Sequence, residues 1–246
     1  MFADLHNHTC LSPCGSSDLT PRRLLELGAA RGLKLMALTD HNSSLNCPAF
    51  AKLSARYGII PIFGMEAATA EDIHVLCLFT SLEACMDFNE YAGSLISAFH
   101  YIPDSATEQI YVDDEDNIEG KIEYYLINPL DISINKIGAK VIEYGGIVIP
   151  AHVDRQAFSM TSELGLIVEG PWCALECVRI PPVLNGARLV TLDLPLITSS
   201  DAHFPEYVAR RYCELDVSTG ELQPGGPGTA ADMAALKRAL AKRPKH

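Results

Sequence analysis

His6 and His8 stand two residues apart in the opening stretch MFADLHNHTCLSPCG, and in an extended chain residues two apart project from one face. Two imidazoles presented together make a pincer for a divalent metal; the alternative is a pair of ordinary polar residues in a turn. Four further apolar runs, LKLMALTDH, IIPIFGME, IVIPAH and PLITSSDAH, end in His41, Glu66, His152 and Asp201 with His203. A fifth, IHVLCLF, has His74 near its start. Six of the 8 histidines lie at these strand ends, His100 and His246 being the exceptions. Six imidazoles converging with Glu66 and Asp201 are too polar for a structural cluster unless a metal neutralises them. Mixed imidazole and carboxylate donors suit Zn, Mn or Fe rather than Ca or Mg alone, and the donors are too many for one ion. Metals sharing a site lower the pKa of a water, hold substrate oxygens and stabilise a leaving oxygen, which is hydrolytic chemistry.

The elements that must position these residues follow from periodicity and punctuation. Thr20-Pro21 caps a helix that Gly32 stops, and residues 33–41 form a strand. A helix is expected over 48–57, strands over 59–66 and 73–79, and a helix over 82–99. QIYVDDEDNIEGKIEYYL has two β-prone arms around an acidic turn and reads as a hairpin inserted at about 107–127. Helix, then strand, resume through ISINKIGAKVIEYGG and 147–152. CALECV (173–178) and 195–203 are further strands, followed by CELDV, a Gly/Pro-rich stretch at 220–228 and a last amphipathic helix, TAADMAALKRALAKR. Short apolar strands alternating with helices imply an α/β fold with a parallel sheet buried on both faces. In a barrel of parallel strands, the C-terminal ends form the rim where active sites sit.

The 246 residues suffice for one large α/β domain, and 1–246 is read as one. No apolar run reaches membrane-spanning length, and no signal segment opens the chain. The 8 scattered cysteines suit reduced thiols in a cytoplasm. A net charge of −12 disfavours long nucleic acid and anionic membrane surfaces, and favours a small substrate whose phosphate is met by bound metal.

The ordered set DLHNH, TDH, GME, IHVL, PAH and SSDAH closely resembles the polymerase-and-histidinol-phosphatase (PHP) superfamily over most of residues 1–203. The resemblance implies a distorted (β/α)7 barrel and two or three divalent ions (Zn, Fe or Mn). It makes His6, His8, His41, Glu66, His74, His152, Asp201 and His203 the ligands, with Glu66 bridging. It also implies a phosphoesterase in which a metal-bridging hydroxide attacks phosphorus, with His203 or His41 offered to protonate the leaving alkoxide. The substrate expected is a small phosphorylated metabolite or nucleotide, as mono- or diester. Where family members carry Asp or His after H-x-H, this chain has Cys14, either a thiolate ligand or a buried turn cysteine, with the third metal then absent or held by Asp18. Asp40 is either an imidazole-orienting partner of the ligands or a helix cap. Arg155 is suited to fork onto a phosphate or else forms an ion pair near Asp154 or at the surface, whereas Arg22 and Arg23 read as solvated. An amidohydrolase-type C–N hydrolase and a non-catalytic PHP module are the competing functions. Oligomeric state is not legible.

Overall fold

Local sequence rules account for most element boundaries in the computed structural model, which describes residues 1–96, 102–103, 106–217, 222 and 232–245. The chain runs β1 (Phe2–Asp4), α1 (Pro21–Ala30), β2 (Leu35–Leu38), α2 (Cys47–Ser54), β3 (Ile60–Ala68), β4 (His74–Phe79) and α3 (Leu82–Ser94). It continues through β5 (Ile110–Val112), β6 (Ile118–Lys121), α4 (Ile134–Glu143), β7 (Ile147–Pro150), α5 (Met160–Leu164) and β8 (Leu175–Glu176). The last elements are β9 (Val183–Leu184), β10 (Ala187–Arg188), β11 (Leu196–Ile197), β12 (Cys213–Glu214) and α6 (Met233–Ala241). Thr20 caps α1 by accepting from the Arg23 N–H, with Pro21 next, where a missing N–H costs nothing. Ser81 caps α3 in the same way through Ala84. His100, His246, the end of the helix expected over 82–99, the Gly/Pro-rich stretch apart from Leu222, and the start of the last expected helix lie outside the described residues.

The main sheet has the order β12-β1-β2-β3-β4-β7. One expectation is corrected here: the sheet is not all parallel. β4 runs antiparallel to both β3 and β7, so the start of β4 lies on the rim formed by the ends of its neighbours. That reversal brings His74 to the same rim as the other ligand-type residues. Parallel bridges link Val148 to Trp172 and Asn7 to Ala202, and β8 pairs in parallel with β11, so the hydrogen-bonded surface continues beyond β7 and returns to the residues after β1.

Alternate residues separate two cores, as strand geometry requires. Leu35, Ala37, Ile60, Ile62, Leu76, Leu78, Ile147 and Ile149 pack together on the concave side. Met36, Leu38, Phe63, Met65, Val75, Cys77, Phe79 and Val148 pack outward against the helices. Leu236 and Leu240 of α6 join the inner cluster. Gly64 permits β3 and β4 to approach, since a Cβ there would strike the Cys77 carbonyl.

β5 and β6 form a two-stranded antiparallel ribbon. Its acidic turn is partly clamped: Arg22 Nε donates to Asp116 (2.7 Å) and Lys52 pairs with Asp114 (3.0 Å). Arg22 is therefore an anchor for this ribbon rather than a free surface charge, while the Arg23 side chain pairs with Glu26.

Candidate metal centre

Strand parity aims several of the polar residues inward. His41 continues the inward series of Leu35 and Ala37, Glu66 that of Ile60 and Ile62, and His74 that of Leu76 and Leu78 read backwards along β4. Glu176 follows Ala174 in the same way. His152 and Asp201 arrive through left-handed backbone, with φ of 30° and 49°. Such non-glycine conformations cost on the order of 1–3 kcal/mol each and persist where the surroundings impose them.

Glu66 is the hub. Its Oε2 lies 3.3 Å from His6 Nε2, 3.3 Å from His8 Nε2 and 3.0 Å from His41 Nδ1. Its Oε1 lies 2.8 Å from His74 Nδ1 and 3.0 Å from His152 Nε2. Asp201 Oδ1 is 3.5 Å from His6 Nε2 and 3.4 Å from His8 Nε2, and the two Nε2 atoms face each other at 3.1 Å. All of these side chains are buried.

The tautomers explain why a cation belongs here. His6 Nδ1 donates to both Glu176 oxygens (3.1 and 3.0 Å), so Nε2 is the nitrogen left to face the cluster. His8 Nδ1 donates to Ser12 Oγ (3.0 Å), and Ser12 in turn donates to Asp40 (2.7 Å). Two imidazole Nε2 atoms and two carboxylate oxygens therefore converge, a set that a proton or a metal cation has to bridge. A tetrahedral ion with ligands at ~2.0–2.2 Å holds neighbouring donor atoms roughly 3.3–3.6 Å apart, close to the spacings observed. His41 Nδ1 and Asp201 Oδ1 are also buried without hydrogen-bond partners, as donors reserved for metal are. The donors group as His6, His8, Glu66 and Asp201; as His41, Glu66 and His74; and as His8, His41 and His203. The residues present fit bound metal.

Charge supports the same conclusion. Burial pushes the His6 imidazole down, but Glu176, Glu66 and Asp201 outweigh it and raise its pKa well above the usual value. The well that holds that proton attracts any cation. Burial alone would push Glu66 up, yet His74, His6 and His41 hold its carboxyl well below the carboxylate range. Burial together with its cationic neighbours lowers His41 to about 4. Burial and His8 lower His203 to about 2.

Other expected residues are resolved individually. Asp40 orients His8 through Ser12 and also accepts from Thr9 N–H and Oγ1, both at 2.6 Å; it caps no helix. Arg155 donates through Nη1 to Asp201 (2.7 Å) with its side chain 47% exposed. Cys14 is exposed at the mouth of the pocket above Glu66, which also has Arg155, Phe158, Ile127 and His203 in its walls. Its sulfur lies outside the three donor groups, as does exposed Asp18.

Sequence reasoning missed Glu176. Besides holding His6, it accepts the His152 N–H (2.9 Å), tying together ligand-type residues from two parts of the chain. Carboxylates behind a ligating imidazole fix its tautomer and raise its basicity. Glu176→Gln is expected to weaken metal binding roughly 10–100-fold in a chelator competition, with an unchanged far-UV spectrum. Undiminished affinity would reduce Glu176 to a packing role.

A family profile for the PHP domain matches residues 4–134, more than half of the chain, and the protein belongs to the PHP domain family. It is 27% identical over 159 residues to an uncharacterized protein of Methanocaldococcus jannaschii, a match covering 56% of this chain and 91% of that one. Over 98% of its length it resembles the lesion-specific endonuclease PfuEndoQ of Pyrococcus furiosus (TM-score 0.62, 17% identity), spanning 56% of that longer chain. A structure described as a candidate metal-dependent phosphoesterase of Bifidobacterium adolescentis matches over 97% of this chain and 95% of its own (TM-score 0.54, 20% identity). At these identities the two structural likenesses are likenesses of fold.

Proposed function

We propose that this chain is a metal-dependent phosphoesterase acting on a small phosphorylated metabolite or nucleotide, as mono- or diester. The observation that carries the reading is Glu66, whose two oxygens face five imidazoles at 2.8–3.3 Å. His6, His8 and Asp201 would hold one ion with Glu66, and His41, His74 and His152 would offer donors for a second. His203, which groups with His8 and His41, would offer a further donor. Divalent metals bound there supply Lewis-acid charge and lower the pKa of water.

The chain's own groups do the rest. Glu66 would be shared between two of the donor groups. Asp40 through Ser12, and Glu176 directly, keep the lone pairs of His8 and His6 aimed inward. Arg155 stands on Asp201 at the pocket and is placed to meet a phosphoryl oxygen. His41 and His203, neutral at pH 7, suit lone-pair donation better than protonation of the leaving oxygen, the role first considered for them.

We read residues 1–246 as one distorted (β/α)7-type barrel carrying the 107–127 hairpin. The bridges that carry the sheet from β7 through β8 and β11 back to the residues after β1 support this reading. Eight unpaired cysteines are in keeping with a reducing cytoplasm, and no described helix is long and apolar enough to cross a membrane. PfuEndoQ acts on nucleic acid, but the net charge of −12 here favours a small substrate over a long polyanion.

Elemental analysis of purified protein, paired with a phosphate-release screen over small esters, tests this. Two or three equivalents of Zn, Fe or Mn with turnover on at least one ester is the expected result. Full metal occupancy without turnover on any ester would overturn the phosphoesterase reading.

A further inference from the structure

The pocket over the metal-ligand cluster has two apolar lining residues, Phe158 and Ile127, that the cluster does not need. Phe158 is held unusually for a bulky side chain. Its φ is 57°, and left-handed backbone at a large non-glycine residue persists only where neighbours impose it. Two contacts impose it here. The Phe158 carbonyl accepts the His74 N–H (3.0 Å), and Ser159 Oγ donates to the Arg155 carbonyl (2.8 Å), closing the turn. The result is a ring stacked nearly parallel on His74, with centroids 5.0 Å apart and planes 16° apart. The same ring leaves 43% of the residue exposed at the pocket. An apolar ring that covers a buried imidazole on one side and faces the mouth with the rest is a ready stacking surface.

Ile127 comes from a separate segment, and that segment is fixed as well. Asn42 Nδ2 donates to the carbonyls of Leu126 (2.7 Å) and Asn128 (2.8 Å) on either side of it. Both residues are thus presented by immobilised backbone, as a specificity surface requires. Arg155, in the same turn as Phe158, adds a cation beside the apolar pair.

We propose that Phe158 and Ile127 form a leaving-group subsite that selects phosphoesters whose ester group carries a flat aromatic ring. This rests on the phosphoesterase reading for the orientation of the substrate, with phosphorus over Glu66 and the organic group toward the mouth. A ring stacked on an aromatic side chain gains ~1–3 kcal/mol, corresponding to a preference of about 5–150-fold over an ester with no ring.

The test measures binding, so that it does not depend on turnover. Phenylphosphonate and methylphosphonate are titrated calorimetrically into metal-loaded protein, wild type and Phe158→Leu, with metal content checked in each. Wild type is expected to bind phenylphosphonate at least fivefold tighter than methylphosphonate, and Phe158→Leu to lose most of that ratio. Ile127→Ala, distant from His74 in sequence and not stacked on it, is expected to reduce the ratio as well and serves if Phe158→Leu fails to fold. Equal affinities in wild type, no binding of either phosphonate, or a ratio unchanged in both variants would overturn the subsite. A preserved ratio in a protein that hydrolyses no ester would leave the subsite standing while removing the phosphoesterase reading. Hydrolysis without the ratio would do the reverse.

Discussion

Glu66→Gln is expected to release most of the bound metal and to lower turnover by about three orders of magnitude, while the far-UV spectrum stays that of the wild type. The side chains are isosteric, so packing in β3 is preserved. What changes is charge and donor pattern. Both Glu66 oxygens face imidazole nitrogens, Oε2 three of them and Oε1 two. An amide offers one oxygen, and its NH2 would point protons where lone-pair acceptance of a cation is needed. Stabilisation of developing charge by metal is worth several kcal/mol, and ~4 kcal/mol corresponds to a thousandfold in rate. Elemental analysis and a phosphate-release assay on the same preparation read both effects. Wild-type metal content together with wild-type turnover would show that Glu66 does not join the ions.

The ligand-type residues were legible because each interrupts an apolar run, and a polar residue closing a buried strand has to be explained. His74 carried a further signal: it precedes its apolar run instead of following it, and to share the rim with the others its strand must run backwards, as β4 does. The expectation of an all-parallel sheet overlooked that constraint. Glu176 was hidden for the opposite reason. It lies within the apolar run CALECV, belongs to no spaced motif, and acts only on His6 and on the His152 amide, which the sequence does not place near it. The role of Asp40 was only half visible, because the hydroxyl through which it works, Ser12, is a common residue with no distinctive spacing. Arg22 looked solvated because its partner Asp116 is 94 residues away and approaches only once the β5–β6 ribbon folds back on α1. Local chemistry is written in the chain, whereas pairing between distant segments is decided by the sheet.

Removing the metals is expected to lower the melting temperature, by a margin that grows with pH. In the stripped protein His6 has a folded pKa well above its ordinary value of 6.5, since Glu176, Glu66 and Asp201 outweigh its burial; His8 is raised as well, by Asp201 and Glu66 against its own burial. Groups raised on folding contribute stability that is complete below the unfolded pKa and is lost as pH climbs through the folded one. The stripped protein therefore loses this contribution above neutrality. Metal binding has the opposite dependence, because His6 and His8 must give up protons before they can ligate, so affinity rises with pH. Burial holds His41 at about 4 and His203 at about 2, so these two have no proton to release near pH 7. With ions at a thousandfold over their dissociation constant the loaded protein gains ~4 kcal/mol, or roughly 10 °C for a chain of this size. Thermal melts of chelator-stripped and zinc-reloaded protein at pH 6, 7 and 8 should show that gap widening at each step, with proton release on reloading in weak buffer. A gap that stays constant over these two units would mean that His6 and His8 carry no proton in the stripped state, and the charge balance inferred for the cluster would then be wrong.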